Sequence, residues 1–389
     1  MRISKKVDAL APSGIRAFFD LVLGMKDVIS LGVGEPDFVT PWHVRERAIQ
    51  SLESGFTSYT SNKGMIELRK EITHSLKSRH SLSYDPEEEI LITVGVSEGL
   101  DLAMRAILNP GEKVLIPEPS YVAYGPAVEL AGGNPLFLPT SLETQFKISP
   151  KQLEKAITKG VRGLLLGYPA NPTGASYTKK ELEALAKIIK KHNLIVISDE
   201  IYDELTYDFD HTPLAVLPGM KDRVVYLNGF SKAYAMTGFR IGYACGPKDI
   251  IGAMTKIHQY TILCAPITGQ MAAIEALKSG SKDTQLMKKE YHRRRDFMVE
   301  SLNRIGLKCH NPQGAFYVFP SIQSTGESSI DFAKNLLKEQ KVALVPGVAF
   351  GRCGSGHVRI SYASSYENLK EAVQRIEKYL QKNRRSKKA

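Results

Sequence analysis

The feature that most constrains the fold of this chain is a regular alternation between short apolar segments and amphipathic helical patterns. The strand candidates are rich in Val, Ile and Leu, and they cover 90–95, 113–117, 161–167, 194–198, 224–228 and 241–245. Continuous apolar runs of this kind are typical of strands that are covered on both faces. Between two of them, a helix candidate over 178–192 begins with the capping-box spacing of Thr178 and Glu181. This alternation predicts the fold class α/β, in which helices cover a mostly parallel sheet in a large domain.

After about residue 248 the pattern changes to long helical stretches, which a smaller α+β unit follows. Apolar residues at helical spacing predict helices over 248–278 and 283–305. The elements expected after them are a strand over 314–320, a helix over 331–340, a strand over 357–363 and a helix over 367–382. A length of 389 residues suffices for two domains. We expect a large domain over 46–284 and a small C-terminal domain over 285–389. An N-terminal segment over 1–45 is expected to be part of the small domain.

Charge and cysteine content narrow the classes of function. The formal net charge is +11, but the last eight residues carry five basic side chains and no acidic one. We attribute much of the excess to a solvated tail and expect no nucleic-acid partner. The four cysteines have neither a disulfide-framework nor a zinc-ligand spacing, and no apolar run is long enough to cross a membrane. We therefore expect a reduced, cytoplasmic protein with no metal and no membrane association.

Polar and aromatic side chains follow five of the predicted strands. In an open α/β sheet, ligands bind beyond the carboxyl ends of the strands, so these side chains are expected to share one pocket. The candidate residues are Val96, Ser97, Tyr121, Asn171, Asp199, Tyr202, Ser231, Lys232 and Arg240. Val96 and Ser97 begin a predicted helix, where free backbone N–H groups suit a phosphate, and Arg240 would add a positive charge.

This combination suits a phosphorylated pyridine aldehyde. A lysine such as Lys232 forms an imine with an aldehyde. Asp199 would pair with the ring nitrogen and keep it protonated, so that the ring can accept electrons. Asn171 and Tyr202 would hydrogen-bond a ring hydroxyl, and Tyr121 would stack on the ring. The sequence therefore predicts a site for a phosphorylated pyridine aldehyde.

Three motifs make this set highly specific. They are SKAYAMTGFRIG from Ser231 to Gly242, NPTG from Asn171 to Gly174, and DEIY from Asp199 to Tyr202. With these motifs the chain resembles the fold-type I pyridoxal-phosphate enzymes of aminotransferase class I/II, and it is most similar to their prokaryotic aspartate/aromatic branch. The resemblance extends from about residue 13 to 380. It implies pyridoxal 5'-phosphate as cofactor and catalytic roles for Lys232, Asp199 and Tyr202.

The same resemblance implies how the substrate and a second subunit are held. The backbone N–H of Gly34 and the guanidinium of Arg359 would bind the substrate α-carboxylate, next to Asn171. Ile15 would lie in a mobile segment that closes over the substrate. Tyr59 resembles a tyrosine that reaches the cofactor phosphate of the partner subunit, which implies a homodimer.

The implied activity is transfer of an amino group from an L-amino acid to a 2-oxo acid, with 2-oxoglutarate as the expected acceptor. The donor would be aromatic or of broad range, aspartate included. Lys232 would move a proton as general base and acid, and two half-reactions would give ping-pong kinetics. Two departures make strict aspartate specificity less expected: Gly229 stands where many relatives have a phosphate-binding Ser, and Tyr121 where aspartate-specific relatives often have Trp.

A serine hydrolase is an alternative of another reaction class. Gly95, Ser97 and Gly99 match G-x-S-x-G between a predicted strand and helix, and Asp331 and His357 follow in the order of a catalytic triad. No HGGG-type oxyanion motif precedes the serine, and this interpretation leaves the other strand-end residues without a role.

Three further alternatives bind the same cofactor. A β-lyase or a cyclopropane-forming synthase would share the fold, which does not separate these activities. A DNA-binding regulator would need a helix-turn-helix ahead of the motifs that begin by residue 31.

Two more predictions concern the substrate side chain and the surface. The region around Tyr59, Tyr121, Tyr124 and 260–261 is predicted to be apolar enough for an aromatic ring. The three consecutive arginines at 293–295 are predicted to form a charged, solvated helix face.

Overall fold

The computed structural model describes residues 3–11 and 25–386, and in it helices pack against both faces of the predicted sheet. Ile15, which was expected to close over the substrate, lies outside the described residues.

Within the described residues, the strands form one large sheet and two small ones. In chain order they are β1 (Ile29–Ser30), β2 (Ile90–Thr93), β3 (Lys113–Glu118), β4 (Asn134–Pro139), β5 (Val161–Gly167), β6 (Ile195–Asp199), β7 (Val224–Gly229), β8 (Gly242–Cys245), β9 (Tyr317–Val318), β10 (Val342–Ala343), β11 (Val345–Pro346) and β12 (Val358–Ser361). The large sheet has the order β2-β8-β7-β6-β5-β3-β4. β8 is the one strand of this sheet that runs in the direction opposite to the other six. The mostly parallel sheet predicted for the α/β class is therefore confirmed.

Helices connect most of these strands. They are α1 (Lys5–Ala9), α2 (Trp42–Glu53), α3 (Ile66–His80), α4 (Gly95–Ile107), α5 (Tyr124–Leu130), α6 (Pro150–Ala156), α7 (Lys179–Lys191), α8 (Lys248–Thr261), α9 (Ile267–Ser279), α10 (Ser281–Arg304), α11 (Ser329–Gln340) and α12 (Tyr366–Ser386). Successive residues of β5 face opposite layers: Leu164 and Leu166 join one apolar cluster and Leu165 joins the other. This explains why consecutive residues in the buried middle of the strand are apolar.

Helix α7 illustrates how the sequence sets the helical layer. The Thr178 hydroxyl accepts a hydrogen bond from the backbone N–H of Glu181, and the Glu181 carboxylate accepts one of 2.7 Å from the N–H of Thr178, so the predicted capping box is confirmed. Its apolar stripe is buried against the sheet and consists of Leu182, Leu185, Ala186 and Ile189. Burial of each large side chain contributes about 1.5–3 kcal/mol, which fixes the orientation of the helix.

The C-terminal unit includes a strand from the N-terminal segment. β1 pairs in parallel with β10, with Ile29 opposite Val342, while β9, β12 and β11 form an antiparallel sheet. This pairing ties the N-terminal segment to the unit predicted as the small domain. Helix α10 runs without interruption across the expected boundary between 284 and 285, and the division into domains stays a prediction.

Two predicted elements are interrupted in the structure. The helix expected over 248–278 is two helices, because Leu263 has a positive φ of 73° and Pro266, at the cap of α9, has no N–H to continue the first one. The strand expected over 314–320 is limited to β9. Ala315 takes a φ of 59°, and its N–H bonds to the carbonyl of Leu205 instead of a strand partner.

The prediction of a solvated arginine face at 293–295 is wrong for two of the three residues. Arg293 is exposed, whereas Arg294 and Arg295 are buried and pair with Asp37 and Asp208. Successive residues of an α-helix point about 100° apart, so three consecutive side chains cannot share one face.

Candidate active site

A cavity of about 750 Å³ lies where the parallel strands of the large sheet end. Eleven of the thirteen predicted site residues line it: Gly34, Val96, Ser97, Tyr121, Asn171, Asp199, Tyr202, Ser231, Lys232, Arg240 and Arg359. Of the other two, Tyr59 is 83% exposed and is not part of the lining, and Ile15 lies outside the described residues. The fold thus brings together Gly34 and Arg359, which are more than 300 positions apart in the chain.

Lys232 lies just beyond the end of β7, and its half-buried side chain lines the cavity. Its Nζ donates a hydrogen bond of 2.6 Å to the carbonyl oxygen of Gly34. Burial lowers the pKa of the Lys232 amine to about 8, although the nearby Glu35 carboxylate opposes this change. An amine with this pKa is partly unprotonated near neutral pH, and only the unprotonated form is a nucleophile.

Asp199 is the last residue of β6 and lines the same cavity as Lys232. Its Oδ2 accepts a hydrogen bond of 2.7 Å from the Tyr124 hydroxyl, and its Oδ1 accepts one of 3.4 Å from the N–H of Ile201. Burial raises the pKa of the Asp199 carboxyl to about 6, while the Tyr124 bond favours the charged form. A cation placed in the cavity next to this carboxylate would therefore be bound strongly.

The residues around the start of α4 form an anion-binding cup. Gly95 has a φ of 72°, and a β-carbon at this position would lie 2.6 Å from Nη2 of Arg240. A β-carbon at Gly242 would meet the backbone nitrogen of Val96 at the same distance. Two glycines thus let the guanidinium and a neighbouring strand approach the helix start, whose first N–H groups lack intrahelical partners. We call the cup formed by 94–97, Ser231 and Arg240 the phosphate cup.

Arg359, on β12, is a buried cation on the opposite side of the cavity. Its Nη1 donates a 2.9 Å hydrogen bond to Oδ1 of Asn171, and its Nη2 donates to the carbonyl of Gly32. The guanidinium lies 4.5 Å from the ring centre of Tyr317, and burial lowers its pKa. No carboxylate among the described residues pairs with it, and its buried Nε lacks a partner there. An unpaired buried guanidinium of this kind suits a carboxylate ligand.

The sequence interpretation missed or misplaced four polar lining residues. Tyr317, whose hydroxyl lies 2.8 Å from that of Tyr202, was given no role, and neither were Glu35 and Thr237, whose hydroxyl donates a hydrogen bond to the Glu35 carboxylate. Tyr124 was expected to contact the substrate side chain but bonds to Asp199. All four belong to segments that the sequence analysis had already identified. Their position next to motif residues was therefore the signal that could have identified them as site residues.

The expected aromatic pocket is only partly assembled. Tyr121 and Tyr124 line the cavity with their rings edge to face, 5.7 Å apart. Tyr260, like Tyr59, is almost fully exposed at 86% and is not part of the lining.

The groups needed for a serine hydrolase are not brought together. Ser97 lines the cavity, but the ring of His357 stacks on Phe319 at 5.1 Å and is not part of the lining. Asp331 accepts a hydrogen bond from Ser328 at the start of α11. No triad therefore forms on Ser97 with these two residues.

Comparison with known proteins agrees with this site. The chain belongs to the family described as "Aminotransferase class I and II", which matches residues 26–376. The aspartate aminotransferase of Pyrococcus abyssi is 45% identical over 387 residues, which are 99% of this chain and 100% of that protein. Aromatic-amino-acid aminotransferase 2 of Thermococcus litoralis is 42% identical over 387 residues, with the same coverage of 99% and 100%.

A solved structure extends the similarity to three dimensions. The aspartate aminotransferase from Thermus thermophilus, solved with maleate, has a TM-score of 0.93 and 38% identity, covering 97% of this chain and 100% of that one. The predicted fold type I is thus confirmed. Enzymes of this family depend on pyridoxal 5'-phosphate, so the chain is a pyridoxal-phosphate-dependent aminotransferase. In residues 3–11 and 25–386, no helix combines the length and the apolar character that crossing a bilayer requires.

Proposed function

We propose that this aminotransferase moves the amino group of an aromatic or other L-amino acid to 2-oxoglutarate with ping-pong kinetics. The observation that supports this most directly is the arrangement of three groups in one cavity. The Lys232 amine has a lowered pKa, Asp199 is buried in the same cavity, and the Arg359 guanidinium bonds to neutral groups only among the described residues. An enzyme that works on α-amino acids needs a base, an electron sink and a carboxylate site, and these groups supply or support each of them.

The cavity residues match the chemical groups of the cofactor. The phosphate cup would hold the dianionic phosphate, with Ser97 and Ser231 hydroxyls and Arg240 as donors. Asp199 would keep the ring nitrogen protonated, Asn171 and Tyr202 would bond the ring hydroxyl, and Tyr121 would lie against the ring. When bound, the cofactor supplies an aldehyde for amines and a ring that takes up the electron pair left after a proton is removed from the substrate.

Lys232 has two tasks in this proposal. Its unprotonated amine would hold the cofactor through the aldehyde, and the same amine, once freed, would take the proton from the substrate Cα and hold it for return as a general acid. A pKa of about 8 suits both tasks, because an acid–base group works best when its pKa lies near the working pH.

Arg359 and Gly34 would hold the substrate α-carboxylate. The guanidinium can form two parallel hydrogen bonds to a carboxylate, and Asn171 already orients one of its nitrogens. The Gly34 carbonyl is bound by Lys232 and its backbone lies near Tyr317, so the N–H of Gly34 is positioned at the same wall. A carboxylate held there would bring the substrate Cα close to the lysine.

A donor panel with 2-oxoglutarate tests the proposed reaction. We expect phenylalanine or tyrosine to be used at least as well as aspartate, because Tyr121, Val33 and Val122 line the cavity. A kcat/KM for aspartate more than about tenfold above that for phenylalanine would contradict the donor assignment, since one well-placed charged contact is worth that much. Release of ammonia in the absence of any 2-oxo acid would indicate a β-lyase.

We also propose that the active unit is a homodimer. Tyr59 and Tyr260 are both exposed. Their segments lie next to each other, as a 2.8 Å hydrogen bond from Nδ2 of Asn62 to the carbonyl of Leu263 shows. Exposed aromatic groups close together are typical of a protein interface. A second copy would cover this surface, and Tyr59 would reach the phosphate cup of the partner. Sedimentation velocity of the holoenzyme tests this, and a monomer would contradict it.

A further inference from the structure

A buried carboxylate–imidazole pair lies directly behind the phosphate cup. Glu98, in the first turn of α4, has its Oε1 2.7 Å from Nδ1 of His258 on α8. The His258 side chain is fully buried and that of Glu98 is 12% exposed. Neither residue lines the cavity, so neither touches the ligands proposed above.

The second oxygen of Glu98 holds the backbone of the cup itself. Its Oε2 accepts a hydrogen bond of 2.5 Å from the N–H of Val94. Val94 precedes Gly95, whose positive φ turns the chain into α4, so this bond closes the turn that presents the helix start. A free carboxylate at this place would repel a dianion bound at the same N–H groups, and hydrogen bonds from other donors to Glu98 reduce that repulsion.

The imidazole of His258 is the side chain that contacts the Glu98 carboxylate. Its Nδ1 lies within hydrogen-bond distance of the Glu98 carboxylate, whereas the buried Nε2 finds no donor or acceptor among the described residues. Among those residues, the bond to Glu98 is the one hydrogen bond that holds the imidazole. Because α8 packs against α4, this bond fixes the rotamer in which the carboxylate reaches Val94.

We propose that Glu98 and His258 are positioning residues that pre-form the phosphate cup, so that cofactor affinity depends on this pair through the phosphate alone. The inference rests on the proposed function, because the cup matters only if it receives the cofactor phosphate. It assigns to Glu98, within the G-x-S-x-G motif, a task in cofactor binding rather than in hydrolysis.

Binding of two ligands by the apoprotein tests the proposal. Pyridoxal 5'-phosphate and pyridoxal differ only in the phosphate, and the absorbance of each ligand bound covalently at Lys232 gives a Kd. We expect Glu98→Ala and His258→Leu to raise the Kd for the phosphorylated ligand about tenfold, as expected for loss of one bond to a charged group. The Kd for pyridoxal should change less than about twofold.

Conservative variants separate positioning from folding. Glu98→Gln retains an acceptor for the Val94 N–H, and His258→Asn retains a donor near the position of Nδ1, so both should recover most of the affinity. His43→Leu is the matched control, because it removes a paired imidazole that does not line the cavity. Circular dichroism of each apoprotein would show that it is folded.

The outcomes distinguish this inference from the function on which it rests. Equal losses of affinity for both ligands, or no loss, would overturn the role of the pair while leaving the cofactor site in place. If the unaltered chain bound neither ligand at Lys232, the proposed function would fail and the inference with it.

Discussion

The Tyr124 hydroxyl donates a 2.7 Å hydrogen bond to Oδ2 of Asp199, and both side chains are buried. Burial makes the carboxylate costly, whereas this bond favours it, and the balance raises the pKa of Asp199 to about 6. Asp199 is therefore charged at neutral pH, but by a small margin. A protonated pyridine nitrogen next to it would complete the neutralisation of the site.

Tyr124→Phe should move the acid limb of activity to higher pH. Without the phenol, the pKa of Asp199 rises further above about 6, so the carboxylate is lost at a higher pH. We expect kcat/KM at pH 7 to fall about tenfold, as expected for loss of one hydrogen bond to a charged group. The pH profile of kcat/KM measures both effects.

Tyr177→Phe provides the comparison for this variant. The Tyr177 hydroxyl is also buried and accepts a hydrogen bond, from the N–H of Ile148, but it is not part of the cavity lining. This variant should leave the acid limb in place. If both variants shifted the limb equally, the Tyr124–Asp199 bond would not be its cause.

Asp199→Asn should stabilise the cofactor-free protein while abolishing activity. In the folded chain the pKa of Asp199 is raised to about 6, so folding favours the protonated carboxyl. The resulting destabilisation is nil below about pH 4, grows up to about pH 6 and is constant above it, where it reaches about 3 kcal/mol. Urea unfolding of the apoprotein at pH 4 and pH 7.5 tests this. A gain in stability at pH 4 as large as at pH 7.5 would contradict the assignment.

The sequence predicts the large sheet and most of the site because the two are physically linked. Buried parallel strands must be apolar throughout, and the polar residue that ends such a run, as Asp199 ends β6, marks the binding edge. β4 was not predicted, because its sequence Asn-Pro-Leu-Phe-Leu-Pro contains two prolines. The strand tolerates them because it lies at the edge of the sheet.

Side-chain partners are predicted less well than elements. Tyr124 and Asp199 are 75 positions apart, and Tyr202 and Tyr317 are 115 apart. Periodicity and motif spacing describe neighbours along the chain, whereas these contacts depend on how whole elements pack. The family resemblance identifies Asp199 and Tyr202 but not the groups that orient them.

Glu35→Gln should shift the pH dependence of cofactor uptake. The pKa of the Lys232 amine is lowered to about 8 by burial, and the Glu35 carboxylate acts in the opposite direction. Removing that charge lowers the pKa further, so the rate of covalent cofactor incorporation should rise at lower pH than in the unaltered chain. Stopped-flow absorbance from pH 6 to pH 9 measures the inflection. An inflection that stays near pH 8 would show that Glu35 does not act on the amine.

Arg359→Lys should harm substrate use far more than cofactor binding. A lysine keeps the charge but cannot form two parallel bonds to a carboxylate or keep the contact with Asn171. We expect kcat/KM to fall about 100-fold, while the Kd for pyridoxal 5'-phosphate stays within about twofold. Steady-state kinetics and absorbance titration measure the two effects. A parallel loss of cofactor affinity would move Arg359 from the substrate site to the cofactor site.

The arginines of α10 offer a paired test of how the loop over 32–38 is anchored. Arg294 is 7% exposed and donates two hydrogen bonds, of 2.9 and 2.8 Å, to the carboxylate of Asp37, whereas Arg293 is 54% exposed and pairs with Glu290. Arg294 is buried, whereas Asp37 is partly exposed and keeps the bond from the Tyr291 hydroxyl, so Arg294→Ala should lower the free energy of unfolding by about 2 kcal/mol. Arg293→Ala should change it by less than about 0.5 kcal/mol. Because Asp37 belongs to the loop that carries Gly34, Arg294→Ala should also raise KM for the amino donor. Urea unfolding and donor kinetics of the two variants test these two predictions. Equal effects of both substitutions would show that the burial of Arg294 does not matter.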